Sequence, residues 1–167
     1  MYSNRVFLLI SLGLVFLVFG CNGPKTPANL PKLYPCKITV VQDGKPLEDA
    51  MVTVYNDLGF VIAGKTDAKG VATITVDGRW PGVPEGEHVI SISKITEPTD
   101  LPPPPQSMFS AEGRNYMEQL TKGTKETVDP KYSAGRKSEL RLNVGKKSTN
   151  ETFDVGAAVE ITPEEPL

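Results

Sequence analysis

Histidine is almost missing from this 167-residue chain: there is one, His88, beside two cysteines, Cys21 and Cys36, and one tryptophan, Trp80. That is too few soft ligands for the His/Cys sets that hold structural zinc, so no metal or cofactor is expected. A thiol or hydroxyl nucleophile needs a base beside it, and a single histidine leaves little to supply one. A bias of charge is missing too, with 18 Lys and Arg against 20 Asp and Glu, a net of −2. Binding nucleic acid takes clustered cations against phosphates, so no nucleic-acid partner is expected. The apolar run from Val6 to Phe19 spans 14 residues, short of the roughly 20 a helix needs to cross a bilayer. What the chain has in plenty is turn formers, 15 glycines and 15 prolines, which favour many short strands over a helical bundle.

A charged start at Arg5, a short apolar core and the small Gly20 describe a secretory signal over residues 1–20. Val18-Phe19-Gly20-Cys21 resembles the lipobox of bacterial lipoproteins. That resemblance implies a Cys21 thiol carrying a thioether-linked lipid and becoming the first mature residue, with Phe19 larger than the residue usual at its place. Two or more acyl chains hold a protein to a membrane stably, where one is marginal. The expected localisation is therefore the bacterial cell envelope, with a membrane partner reached through the lipid. The alternatives are an uncleaved anchor, or an ordinary signal peptide with Cys21 bridged to Cys36. If Cys21 is lipidated, Cys36 is left as a free thiol acting as a small buried hydrophobe. Residues 21–35 carry Pro24, Pro27, Pro31 and Pro35, the composition of an extended tether that at roughly 3 Å per residue reaches about 40 Å.

Residues 36–162 read as strands and turns. Cys36, Ile38 and Val40 alternate with Lys37 and Thr39, and Val52 and Val54 with Met51, Thr53 and Tyr55, the period of half-buried strands. Further strands are expected at Phe60–Thr66, Val71–Val76, His88–Ile95 and Leu140–Val144, and a last one along Phe153, Val155, Ala157, Val159 and Ile161, interrupted at Gly156. Asp43-Gly44, Asn56 to Gly59 and Asp67 to Gly70 supply turns. Asp77 to Glu87 is expected to be a loop. Two sheets face to face would bury Ile38, Val40, Val52, Val54, Ile74, Ile90, Ile92, Leu140, Leu142 and Phe153. Residues 97–131 show no strand pattern and open on Pro98 and the run Pro102–Pro105, so they read as an insertion loop, functional or disordered. Within it a short helix is expected at Ala111–Lys122, capped by Ser110, striped by Tyr116, Met117 and Leu120, and stopped by Gly123. Residues 163–167 form a tail.

The stretches Asp43 to Val54, Thr66 to Thr75 and Pro84 to Ser93 together resemble a carboxypeptidase regulatory-like domain. Its marks are a "G-x-P-L-x-x-A-x-V" strand, a "T-D-x-x-G" turn and a "G-x-Y-x-V" strand, the last with His88 for tyrosine and Ile90 for valine here. Pro130-Lys131-Tyr132 and Ser138 to Leu140 are similar to the second half of small planctomycete-type lipoproteins, one residue short in the first motif. The resemblance implies an all-β, seven-stranded antiparallel Greek-key sandwich of the transthyretin-like kind. It also implies a non-enzymatic structural or binding role, with an envelope protein or polysaccharide as partner. Transthyretin-like hydrolases carry several histidines and a Tyr-Arg-Gly-Ser end, which this chain does not have. The alternative role is a carbohydrate- or Ca²⁺-binding accessory module. For the first, Trp80 is the candidate stacking residue. For the second, Asp43, Asp57, Asp67 and Asp77 are the candidate oxygen ligands, although no ligand loop of calcium-binding spacing appears and the turn-forming role of each is the stronger reading.

Overall fold

The computed structural model describes residues 27–161. The signal at 1–20, Cys21, the first part of the tether and the tail at 163–167 lie outside the described residues. The chain divides into two units after Leu30. Of the first, residues 27–30 are described, a turn in which Leu30 N–H donates to the Pro27 carbonyl. The second unit is the strand-built domain. No helix among the described residues is long and apolar enough to cross a membrane.

In chain order the strands are β1 (Leu33–Tyr34), β2 (Cys36–Gln42), β3 (Lys45–Pro46), β4 (Met51–Val54), β5 (Ile62–Lys65), β6 (Val71–Thr73), β7 (Thr75–Val76), β8 (Trp80–Pro81), β9 (Val83–Pro84), β10 (Gly86–Ser93) and β11 (Ile95–Thr96). Helix α1 (Ala111–Gly123) follows, then β12 (Lys125–Glu126), the single turn α2 (Pro130–Ser133), a 3₁₀ turn at Gly135–Lys137, β13 (Arg141–Val144) and β14 (Thr149–Asp154). The larger sheet runs β13-β10-β4-β5-β7-β8, and the smaller β14-β2-β3 with β6 also on β2. Two short pairs, β1 with β9 and β11 with β12, complete the set. The domain is a mostly antiparallel all-β sandwich. One ladder departs from the antiparallel expectation: β14 runs parallel to β2, Thr149 opposite Cys36 through Asp154 opposite Val41.

The core follows the alternation. Cys36, Ile38, Val40 and Gln42 of β2 are buried between exposed or half-buried neighbours, and Val52 and Val54 of β4 likewise. Eight of the ten expected core residues are buried, and Ile62, Val76, Val83, Val128, Val144 and Val155 join them. Leu140 and Phe153 are only half-buried. Leu140 precedes β13 instead of lying in it, and Phe153 lies on the outermost strand of its sheet, where one side meets no further strand.

Several expected boundaries move for identifiable reasons. The single strand expected at Val71–Val76 is two strands in different sheets, β6 on β2 and β7 between β5 and β8. Ile74 makes the crossing: its N–H donates to the Cys36 carbonyl, and its own carbonyl accepts from Gly82 N–H. Alternation cannot register that change, because the buried parity continues through the corner. The Asp77–Glu87 loop contains β8 and β9, and Trp80-Pro81 is an edge strand paired with Val76 and Thr75. Phe60–Thr66 shortens to Ile62–Lys65, His88–Ile95 shifts to Gly86–Ser93, and the last strand ends at Asp154. Leu33 and Tyr34, at the end of the Pro-rich segment, pair with Pro84 and Val83.

The 97–131 stretch holds one of the expected elements and two unexpected ones. Helix α1 begins at Ala111, with the Ser110 hydroxyl accepting from Gly113 N–H, and ends at Gly123. Its stripe is thinly covered, since Met117 is exposed and Tyr116 and Leu120 are half-buried. At the base of the stretch Ile95 and Thr96 pair with Glu126 and Lys125, and Pro130–Ser133 forms α2. After α2, Arg136 lies over the Tyr55 ring, 5.4 Å from its centre, and donates to the Asn56 carbonyl. This clamps the segment onto the β4–β5 turn.

Candidate functional site

Where the chain crosses between sheets it leaves an open groove of about 280 Å³. Its floor is Cys36, Ile74 and Gly82, and its exposed rim carries Lys37, Thr73, Ser148 and Asn150. The floor's backbone is already committed. Thr149 N–H donates to the Pro35 carbonyl at 2.8 Å, Ile74 N–H to Cys36 at 3.0 Å, and Gly82 N–H to Ile74 at 2.8 Å. Ligand contacts therefore fall to the rim side chains. Gly82 has φ +115, and a Cβ there would stand 2.6 Å from the Tyr34 carbonyl oxygen. Only glycine fits that close approach without strain.

The groove is nearly uncharged. Lys37 is its one cation, and the other rim groups are two hydroxyls and an amide. The Cys36 thiol is 2% exposed, and its pKa is pushed up to about 11, first by burial and then by the nearby Glu151 carboxylate. At neutral pH it is a protonated thiol, which is a poor nucleophile.

The expected site residues are scattered. Trp80 is half-buried in the edge strand β8. Its neighbour Pro81 lines the groove while Trp80 does not. His88 opens its run in β10, half-buried, with Nε2 2.9 Å from the Pro84 carbonyl oxygen. It lies in the larger sheet and Cys36 in the smaller, so the fold does not pair them. The four aspartates work in separate turns. Asp43 accepts from Ala158 N–H, Asp77 from Val61 N–H, and Asp57 meets Arg136. Asp67 accepts from Lys69 and Val71, which hold its carboxyl below the usual range. No group of three or more His, Cys, Asp or Glu among the described residues is arranged to hold a metal ion.

Sequence reasoning missed Lys37, Thr73, Ser148 and Asn150. They come from three segments far apart in the chain, and no local pattern brings them together. Comparison of the chain with protein-family models and with curated proteins gives no match.

Proposed function

We propose that the chain is a non-enzymatic, lipid-anchored protein of the bacterial cell envelope. On this reading its sandwich is a seven-stranded Greek-key domain of the carboxypeptidase regulatory-like, transthyretin-like kind, held to a membrane through Cys21. Its binding surface is the groove at the sheet crossing, and its partner there is an envelope polysaccharide. The observation that carries the binding role is the chemistry of that groove: an open, nearly neutral cleft rimmed by hydroxyl and amide groups, with its thiol protonated. Such a rim can exchange hydrogen bonds with a polyhydroxylated chain. It offers no nucleophile paired with a base.

Two measurements test the two halves of the reading. Cys21→Ser is expected to shift the protein out of the membrane fraction or leave the precursor uncleaved. A mutant that stays membrane-bound after correct cleavage would remove the anchor from the proposal. For the groove, Thr73→Ala with Asn150→Ala is expected to weaken retention on isolated cell-wall polysaccharide while the circular dichroism spectrum is kept. Equal retention of the parent chain and the double variant would move the ligand elsewhere. Loss confined to Trp80→Ala would place it on β8.

A further inference from the structure

The sheet edges of this domain are unequally protected. Strands β3 and β8 each end a sheet, are two residues long, and contain a proline, Pro46 and Pro81. A short edge bearing proline resists addition of another strand. Two edge strands carry neither proline nor glycine, the four-residue β13 and the longer, six-residue β14, Thr-Asn-Glu-Thr-Phe-Asp.

Its hydrogen-bonding phase is readable. Thr149 N–H donates to the Pro35 carbonyl and Val155 N–H to Val41, so the odd-numbered residues turn their backbone groups towards β2. By the alternation of a strand, the N–H and C=O of Asn150, Thr152 and Asp154 point away from it. Among the described residues no strand pairs with that side.

We infer that this edge is a self-association surface, on which β14 of a second copy pairs antiparallel about a two-fold axis through Thr152. The register follows from the charges and the phase. Outward residues must face outward residues, which limits the axis to a few positions. An axis at Glu151 would set two glutamates opposite each other, and one at Asp154 two aspartates, both unfavourable. The axis at Thr152 sets threonine on threonine, Asn150 on Asp154 and Glu151 on Phe153. It pairs five of the six strand residues, Asn150 to Asp154, and sets no like charges directly opposite each other. The two smaller sheets would then join edge to edge through a symmetric, isologous contact. Five paired residues from each copy make a small interface, so the dimer is weak and concentration-dependent.

Thr152→Cys in the full chain, treated with a short bismaleimide, is expected to give a covalent dimer well above the background of the parent chain. The cysteines would sit across the axis about 5.5 Å apart at Cα. Lys147→Cys, in the bend before β14, is the control: in this register the two strand starts at Thr149 already lie about 20 Å apart, residue 147 is placed beyond them, and no dimer is expected. Thr152→Lys, which places two ammonium groups across the axis, is expected to sediment as monomer at concentrations where the parent shows dimer. Three results would overturn the inference: equal cross-linking at 152 and 147, a parent chain that remains monomeric over the whole concentration range, or strongest cross-linking at a different β14 position. None of these readouts involves polysaccharide, so they stand or fall independently of the groove.

Discussion

Gln42 and Thr127 are 85 positions apart in the chain, and the Gln42 side-chain amide donates a 2.8 Å hydrogen bond to the Thr127 carbonyl. That bond fixes the return of the 97–131 stretch to the end of β2. Two more contacts reinforce it. The Glu126 carboxylate accepts from the N–H groups of both Lys94 and Val128, and the Val128 side chain is fully buried. The stretch therefore has a built-in stem, β11 and β12, and a lobe beyond it that contains α1.

The stem and the lobe should respond differently to deletion. Removing residues 99–122 leaves Glu97, Pro98, Gly123 and Thr124 to close the hairpin, a connection of ordinary length. A melting temperature close to the parent's is expected. Removing Gln106 to Glu126 also takes the Glu126 carboxylate and leaves two amides without their acceptor. Glu126→Ala alone isolates that loss, and about 1–3 kcal/mol in urea unfolding is expected.

Gly113 looks like a helix-weakening residue, and replacing an interior helical glycine with alanine ordinarily gains about 0.5–1 kcal/mol. Here a Cβ would stand 2.4 Å from the Ser107 carbonyl oxygen. Gly113→Ala is therefore expected to have the opposite sign, costing about 1–3 kcal/mol by overpacking. Hydrogen exchange of the α1 amides is the direct readout, with faster exchange expected.

Thr66, the first residue of the "T-D-x-x-G" turn, is 3% exposed. Its hydroxyl donates to the Leu47 carbonyl at 2.6 Å and accepts from Ala50 N–H at 2.8 Å. Thr66→Val keeps the shape and removes both bonds, leaving a buried donor and a buried acceptor unpaired. About 2–4 kcal/mol of destabilisation is expected, since each unsatisfied group costs about 1–3. Thr66→Ser should recover most of it.

Cys36 sets a limb of the pH profile. Its thiol pKa is raised from 9.0 to about 11 in the folded chain, so between those values the folded state holds the proton more firmly than the unfolded state. Stability from this group is full below pH 9 and is lost as pH rises through the folded value. Cys36→Ala should lower stability at neutral pH but flatten the decline between pH 9 and 11. A decline of equal steepness in both proteins would show that other groups cause it.

Much of the fold was legible because the relevant forces are local. The alternation of Ile38, Val40, Val52, Val54, Ile90 and Ile92 marks their buried faces, since a strand turns successive side chains to opposite sides. Ser110 marks the start of α1, since a capping hydroxyl acts within a few residues; the expected stop Gly123 is instead the last helical residue, and the cap is Thr124. The Asp-Gly turns are equally local. Asp43 and Gly44 both take positive φ, a conformation few other residues accept.

Tertiary structure decided the rest. Buried parity runs unbroken through Val71–Val76, so the change of sheet at Ile74 is set by where the Cys36 carbonyl and Gly82 N–H stand. The demand for glycine at 113 comes from the backbone of Ser107 and Met108, in the turn leading into α1, which lies against the helix's first turn. The groove gathers Lys37, Thr73 and Asn150 from three strands whose proximity is created by the β2–β6 and β2–β14 ladders. Local pattern records which side of a strand meets the core. Which strand lies beside it, and what the two enclose, depends on contacts between residues far apart in the chain.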